Sequence, residues 1–208
     1  MLRFLAQRES NAAEQNAWLT ASTDRVIVET LLFSGLRNSE FCQLTLASLS
    51  LGRESATLNV QETPRQNRVV RIPRRLGEVL HRYCQEVRRH LIPDGISSSD
   101  RSQPLVFNER GKAYERTALY RRVVRILTDA GLGDRASVQL LRHTYGYLAF
   151  KQTGGNLLFL QKQLGHAHPM VTAVYAEFVD FPLDRLADQI AEPFSAVRPE
   201  KSLRRKKS

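Results

Sequence analysis

The stretch that decides the fold runs from Gln139 to Tyr175 and reads QLLRHTYGYLAFKQTGGNLLFLQKQLGHAHPMVTAVY. Leu140, Leu141, Tyr145, Leu148 and Ala149 recur at helical spacing, which predicts one buried helix face. Gly154 and Gly155 end that helix, because glycine takes the positive φ of a helix C-terminus without a steric penalty. Asn156 is placed to N-cap a second helix with Leu157, Leu160, Gln161 and Leu164 along it. Gly165 stops that helix, and Pro169 suits the first turn of a third, which carries Val171, Val174 and Tyr175. Arg142, His166 and Tyr175 each fall at a helix edge or just past a helix end. Groups so placed can face one pocket.

Working outward, residues 33–44 read FSGLRNSEFCQL. Val26, Ile27, Thr30, Leu31 and Ser34 form a helical stripe ahead of this block, with Thr23 or Asp24 as N-cap and Gly35 as the stop. Arg37 follows, then a short helix with Glu40, Phe41 and Leu44. Glu40 lies three residues after Arg37, a spacing that lets it hold the guanidinium. The plainer reading of Glu40 is a solvated carboxylate.

These two blocks, FSGLRNSEFCQL and LRHTYG followed by LGHAHPMVTAVY, resemble the signature blocks of the tyrosine recombinases, the family of phage integrases and Xer-type resolvases. The tyrosine stands nine residues after the histidine (175 − 166 = 9), as the family pattern asks. The resemblance covers roughly residues 18 to 180. It implies an α+β, mainly α-helical catalytic domain with a small three-stranded antiparallel sheet. It implies site-specific cleavage and rejoining of double-stranded DNA through a 3′-phosphotyrosyl intermediate, by a homo-oligomer on DNA and without a cofactor. Tyr175 would be the nucleophile, and Arg37, Arg142 and His166 would share its active site. His143 would buttress that site rather than react, and His168 reads as a surface loop residue.

Two positions depart from the family pattern. The family carries a catalytic lysine on a β-hairpin that lies in the minor groove. The matching stretch here, QETPRQNRVVRIP, has no lysine, and Thr63 takes its place. Arg65 and Arg68 are the nearest cations and read as DNA contacts, as does Lys112 farther on. Arginine keeps its proton too firmly to be a good general acid. The family also places a histidine three residues before the second arginine, where this chain has Gln139. Glutamine can hydrogen-bond a phosphate or a phenol but carries no proton at neutral pH. The alternative to an active enzyme is therefore a homologue that binds DNA with impaired chemistry.

Composition sets the frame. The chain has 208 residues, 42% hydrophobic and 25% charged, enough for one domain with a real core. Its net charge of +10 makes a polyanion the natural partner. No apolar run is long enough to span a bilayer, so no membrane role is expected. The start, MLRFLAQRESNAAEQ, is broken by charge too early for a secretory signal, and Cys42 and Cys84 read as core thiols. A cytoplasmic protein is the expectation. Neither a carboxylate cluster nor a Cys/His spacing points to a metal.

The remaining segments complete the plan. Residues 1–20 read as an N-terminal arm or short helix, and residues 21–180 as the catalytic domain. Family members usually carry an N-terminal helical domain that clamps the far side of DNA, for which these 208 residues leave no room. Residues 49–73 change to a period of two, which predicts strands around the turn TPRQN. Pro73 leads into a basic amphipathic helix with Leu76, Val79, Leu80, Tyr83, Val87 and Leu91 inward and Arg88 largely off that face. Pro104–Phe107 reads as a short strand. Tyr114–Ala130 is a further helix, with Arg116, Arg121, Arg122 and Arg125 forming a positive side. Residues 181–193 read as a C-terminal helix and 194–208 as a basic disordered tail.

Overall fold

The computed structural model describes residues 1–53, 55–63 and 66–178. Arg65, the expected 181–193 helix and the expected 194–208 tail lie outside the described residues, as does the Thr63 side chain. Helix α1 spans Leu2–Ser10, α2 Gln15–Ser34 and α3 Asn38–Cys42. Strands β1 (Leu49–Leu51), β2 (Ala56–Thr63) and β3 (Gln66–Ile72) follow, then α4 (Arg74–Arg82) and α5 (Arg116–Asp129). The chain then makes α6 (Val138–Gln152), α7 (Leu157–Leu164) and α8 (Pro169–Ala173). The described residues thus form a mainly helical α+β domain with one small antiparallel sheet. No helix among them is long and apolar enough to cross a membrane.

Helix α2 is the axis of the fold. Val26, Ile27, Val28 and Leu31 are buried on it, and so are Ser22, Thr23, Asp24, Glu29, Thr30 and Ser34. Helices α1, α4, α5 and α6 all pack on it. The expected start at Thr23 or Asp24 is corrected: α2 begins at Gln15, inside the segment read as an arm. The reason is where the two candidate caps go. The Thr23 hydroxyl donates back to the Leu19 carbonyl, a bond made within a helix. The buried Asp24 carboxylate accepts from Arg122 at 2.6 Å and pairs with Arg8 at 3.0 Å. Glu9 of α1 similarly binds Ser22, Arg25 and Arg82, and Leu5 is buried, so α1 is docked on the body.

The sheet has the order β1-β2-β3 and pairs Leu49 with Leu58, Leu58 with Val70, and Ala56 with Ile72. All five are buried on one face, as alternation predicts. The turn side is irregular, with a shift between Gln61 and Thr63. The expected strand at Pro104–Phe107 is only a single bridge from Thr45 to Pro104. Arg88 accounts for the difference. After α4 the chain makes a π turn over Tyr83–Val87, which adds a residue to the turn and brings Arg88 beside the buried Val87. Its guanidinium donates to Pro104 O and Ser98 O and lies 4.8 Å from the Phe107 ring centroid. Backbone bonds from Leu105 N to Leu44 O and from Leu46 N to Gln103 O hold one side of the segment, and the Arg88 side chain takes Pro104 O. Arg88 is not off the apolar face as its spacing predicts, but 2% exposed.

Two apolar clusters result. The larger joins α2, the sheet, α4, α5 and the start of α6. The smaller consists of Phe150, Leu160, Leu164 and Tyr175, with Tyr145 and Ala149 against it. The predicted face of α6 is corrected in part: Leu141 belongs to the larger cluster, but Leu148 is exposed. Helix α6 passes from one cluster to the other, so one stripe cannot describe it.

Arg122 also leaves the exposed positive side predicted for α5. It is 7% exposed, with Asp24, Tyr114 and Glu109 as partners. Arg122→Ala should cost about 3–5 kcal/mol, because it leaves a buried carboxylate short of its partner. A lower urea midpoint at constant slope would register it. Arg125→Ala, on an exposed residue of the same helix, should stay within about 0.5 kcal/mol.

Candidate active site

Two helix ends meet here. Gly35 (φ 65°) stops α2 and Gly165 (φ 64°) stops α7, both left-handed. A helix C-terminus leaves carbonyls without intrahelical donors. Arg142 of α6 supplies donors to both ends: Nη1 to Gly35 O at 2.5 Å and Nη2 to Leu164 O at 2.7 Å. Arg37 Nη2 donates to Gly165 O at 2.8 Å. A Cβ at Gly35 would overlap Tyr145 and come within 2.8 Å of Leu164, so the ends approach this closely only through glycine.

Glu40 sits behind Arg37. Its carboxylate accepts from the Arg37 backbone at 2.7 Å and from Arg37 Nη1 at 2.8 Å, and receives both terminal nitrogens of Arg68 at 2.7 and 3.0 Å. Burial would raise its pKa, but the hydrogen bonds from Arg68 and the Arg37 backbone outweigh that and hold it below the carboxylate range. It is a clamp, not a solvated carboxylate. Arg68 accordingly lies against Glu40 instead of in open solvent.

Burial, and then the Arg37 charge, lowers the pKa of Arg142 to about 10, so it stays protonated at neutral pH. His166 follows Gly165, with Nδ1 2.9 Å from the hydroxyl of the buried Thr172. Burial, then Arg142, Arg37 and Arg68, pulls it down to about 4. His166 is therefore a neutral imidazole at pH 7, and a Thr172 hydroxyl donating to Nδ1 leaves Nε2–H as its donor. A groove of about 690 Å³ runs past it, lined by Arg68, Arg71, Gln161, Lys162 and Ala167. A larger cavity of about 780 Å³ lies between α1 and α2 beside Phe4, Arg8 and Thr20, away from these groups.

Tyr175 is buried in the smaller cluster just past α8. Its ring packs on Gly146, where any Cβ would overlap it. Its hydroxyl lies 3.3 Å from His143 Nδ1. Burial raises the phenol's pKa, against the pull of the Arg142 charge. The structure thus brings Arg37, Arg142 and His166 together at the α2 and α7 ends, with Tyr175 within electrostatic reach of Arg142.

The other candidates are more dispersed. Gln139 is exposed in the first turn of α6, one turn ahead of Arg142. His168 is exposed and N-caps α8, as the loop reading expects. Lys112 is exposed in a turn that Glu109 anchors, through Arg122, beside Asp24. Asp24 is eleven residues, or about 16 Å along the helix axis, from Gly35. Among the described residues, no group of three or more His, Cys, Asp or Glu could hold a metal ion.

Sequence reasoning missed three residues. Thr172 orients His166. Gly146 makes room for Tyr175, and its signal was a glycine inside an otherwise good helix. Gln163 is buried and bridges α7 to β3: Oε1 accepts from Arg71 N, while Nε2 donates to Arg71 O and the Tyr145 hydroxyl. Its signal was a second amide, after Gln161, among the leucines of α7.

The phage integrase family model matches residues 4–180. The tyrosine recombinase XerC of Thermodesulfovibrio yellowstonii is 29% identical over 156 residues, 75% of this chain and 50% of the relative. That of Halalkalibacterium halodurans is 30% identical over 165 residues, 79% of this chain and 52% of the relative. The XerH site-specific recombinase, solved bound to its difH substrate, aligns with a TM-score of 0.68 at 23% identity, over 91% of this chain and 51% of that one. XerA recombinase aligns with a TM-score of 0.65 at 20% identity, over 96% and 64%. The chain spans about half the length of the curated relatives it matches.

Gly146→Ala should improve helix propensity by about 1 kcal/mol yet displace the Tyr175 ring. Ultraviolet titration, read against Tyr175→Phe, should find the phenol above its ordinary pKa in the native protein and nearer to it in Gly146→Ala. An unchanged titration would mean that the ring does not pack on Gly146.

Proposed function

The chain belongs to the phage integrase family, and on that premise we propose that it cleaves and rejoins double-stranded DNA at specific sites through a 3′-phosphotyrosyl intermediate. One observation carries the reading: Arg37 and Arg142 are both anchored on the carbonyls at the C-terminus of α7, immediately before His166. Arg142 spends two of its five N–H donors, one on Leu164 O and one on Gly35 O at the end of α2, and keeps three for a ligand. Anchored guanidinium groups match the non-bridging oxygens of a phosphodiester, and they lose little freedom when it arrives.

Tyr175 Oη would attack phosphorus, with the 5′-oxygen leaving. Arg37 and Arg142 would neutralise charge on the phosphorane-like transition state, and His166 Nε2–H would donate to the same phosphate. The phosphotyrosyl bond conserves the energy of the diester, so a second strand's 5′-hydroxyl can reverse the step without ATP. Gln139 can hydrogen-bond in this site but cannot transfer a proton. The net charge of +10 supports DNA as the partner, with Arg65, Arg68 and Lys112 as proposed contacts. XerH was solved with its difH substrate and a lambda integrase as a dimer on a core site. By that likeness we propose that this chain also works as a homo-oligomer on DNA.

A bound phosphodiester should offset the cationic field on His166. In nuclear magnetic resonance titrations of Tyr175→Phe, His166 should stay neutral down to about pH 5 without DNA, as a pKa of about 4 requires. It should titrate at higher pH with a duplex bound. No displacement would remove His166 from the phosphate.

A nicked suicide substrate should give a covalent adduct on a denaturing gel, and Tyr175→Phe should abolish it. A substrate with sulfur as the 5′-bridging atom has a leaving group that needs little protonation. It should react faster than ordinary DNA by a factor on the order of 10²–10⁴, the usual worth of general acid catalysis. Thr63→Lys with Gln139→His should narrow that gap. Adduct on neither substrate would leave DNA binding without strand cleavage.

A further inference from the structure

We propose that His143 is the proton acceptor for Tyr175, in a site where Gln139 can accept no proton. The proposal rests on the strand-cleavage reading above. It starts from the only titratable side chain in hydrogen-bond contact with the phenol among the described residues: His143 Nδ1, 3.3 Å from Tyr175 Oη. The rings are tilted by 48° with centroids 6.2 Å apart, so the contact is not a face-to-face stack.

The neighbouring groups do not compete for this task. Gln139 carries no proton in either direction. His166 has Nδ1 engaged by Thr172 and stands in the field of Arg142, Arg37 and Arg68. Arg142 and Arg37 are cations, with their donors on carbonyls and on Glu40. His143, by contrast, is exposed on α6, so a proton taken at Nδ1 can pass from Nε2 to water. Gly146, one turn farther along the same helix, seats the ring that makes the contact. Gly146 and His143 therefore both meet the hydroxyl end of one phenol: Gly146 fixes where the ring lies, and His143 receives its proton.

The step balances as follows. The Tyr175 O–H bond breaks and its proton goes to His143 Nδ1, which must enter as the Nε2–H tautomer. The phenolic oxygen forms its bond to phosphorus. The P–O5′ bond breaks with its electron pair on the 5′-oxygen, which takes a proton from water. On rejoining, the 5′-hydroxyl gives its proton to water as its oxygen bonds phosphorus, the P–Oη bond breaks, and protonated His143 returns a proton to the departing phenolate. A contact of 3.3 Å is long for a hydrogen bond in the free protein, and catalytic contacts of this kind tighten in the substrate complex.

The test follows adduct formation on the nicked substrate with a 5′-bridging oxygen or sulfur. His143→Ala should slow both substrates by about 10²–10⁴, since sulfur relieves the leaving group but not the nucleophile. Added imidazole should restore the rate of His143→Ala and leave Tyr175→Phe inert. His143→Gln keeps a hydrogen bond to the phenol but accepts no proton, so it should stay slow. His143 is exposed, and an unchanged urea midpoint would confirm that the variants fold. Four outcomes would overturn the assignment. His143→Gln at the native rate makes the contact positional. A faster His143→Ala makes it a restraint on the tyrosine. A defect that vanishes with sulfur moves His143 to the leaving oxygen. A native protein without adduct on either substrate ends the cleavage reading, and this inference with it.

Discussion

The hydrogen bonds from Arg142 to the ends of two helices are the constraint on which the site depends. Gly35 O and Leu164 O are terminal carbonyls of α2 and α7, and each sits at the negative end of a helix dipole. A guanidinium between them offsets both ends. Its burial would be unfavourable without those partners, and the drop of its pKa to about 10 registers the residual cost. Removing it would leave two buried carbonyls unpaired and separate α7 from the main body. Arg37 and Gly165 repeat the arrangement one residue on. The same bonds that close the fold fix the guanidinium while leaving it further donors, so stability and preorganisation come from one set of contacts.

Much of this was legible in the chain. Glycines 35 and 165, the Asn156 cap and Pro169 all act as their local chemistry dictates, because turn geometry is decided within a few residues. The sheet was readable for the same reason: its strands alternate and its turn is polar. Charged residues were misread where the deciding partner is remote. Arg122 is buried because Asp24 lies opposite it, 98 positions away, and Arg88 because a π turn brings it towards Pro104 and Phe107. An arginine on a helix reads as surface until its carboxylate or carbonyl is known. Glu40 shows the converse, since its local spacing to Arg37 was visible but its bidentate hold on Arg68 was not.

The electrostatics of the site divide its groups by role. Burial, and then the cations, depress His166 and leave it neutral, so it can donate a hydrogen bond without adding charge. Burial raises Tyr175, which keeps the phenol protonated until something removes the proton. As the proposed nucleophile, a phenol in that state needs a proton acceptor more than an exposed tyrosine does. The apolar seat that places Tyr175 therefore creates the demand that a nearby base must meet.

The two clusters also explain why the linking residues are polar. Leucines alone would let the smaller cluster slide against the larger, since apolar contact has no preferred register. Arg142 and Gln163 both reach from one unit to backbone atoms of the other, and backbone hydrogen bonds have direction and length. Gln163 ties α7 to β3 through both groups of Arg71, as a neighbouring strand would. The hairpin and the Gly165–His166 corner are thereby held in one frame. Tyr175, the proposed nucleophile, is carried by the smaller cluster and can then keep its place relative to the arginines of the larger one.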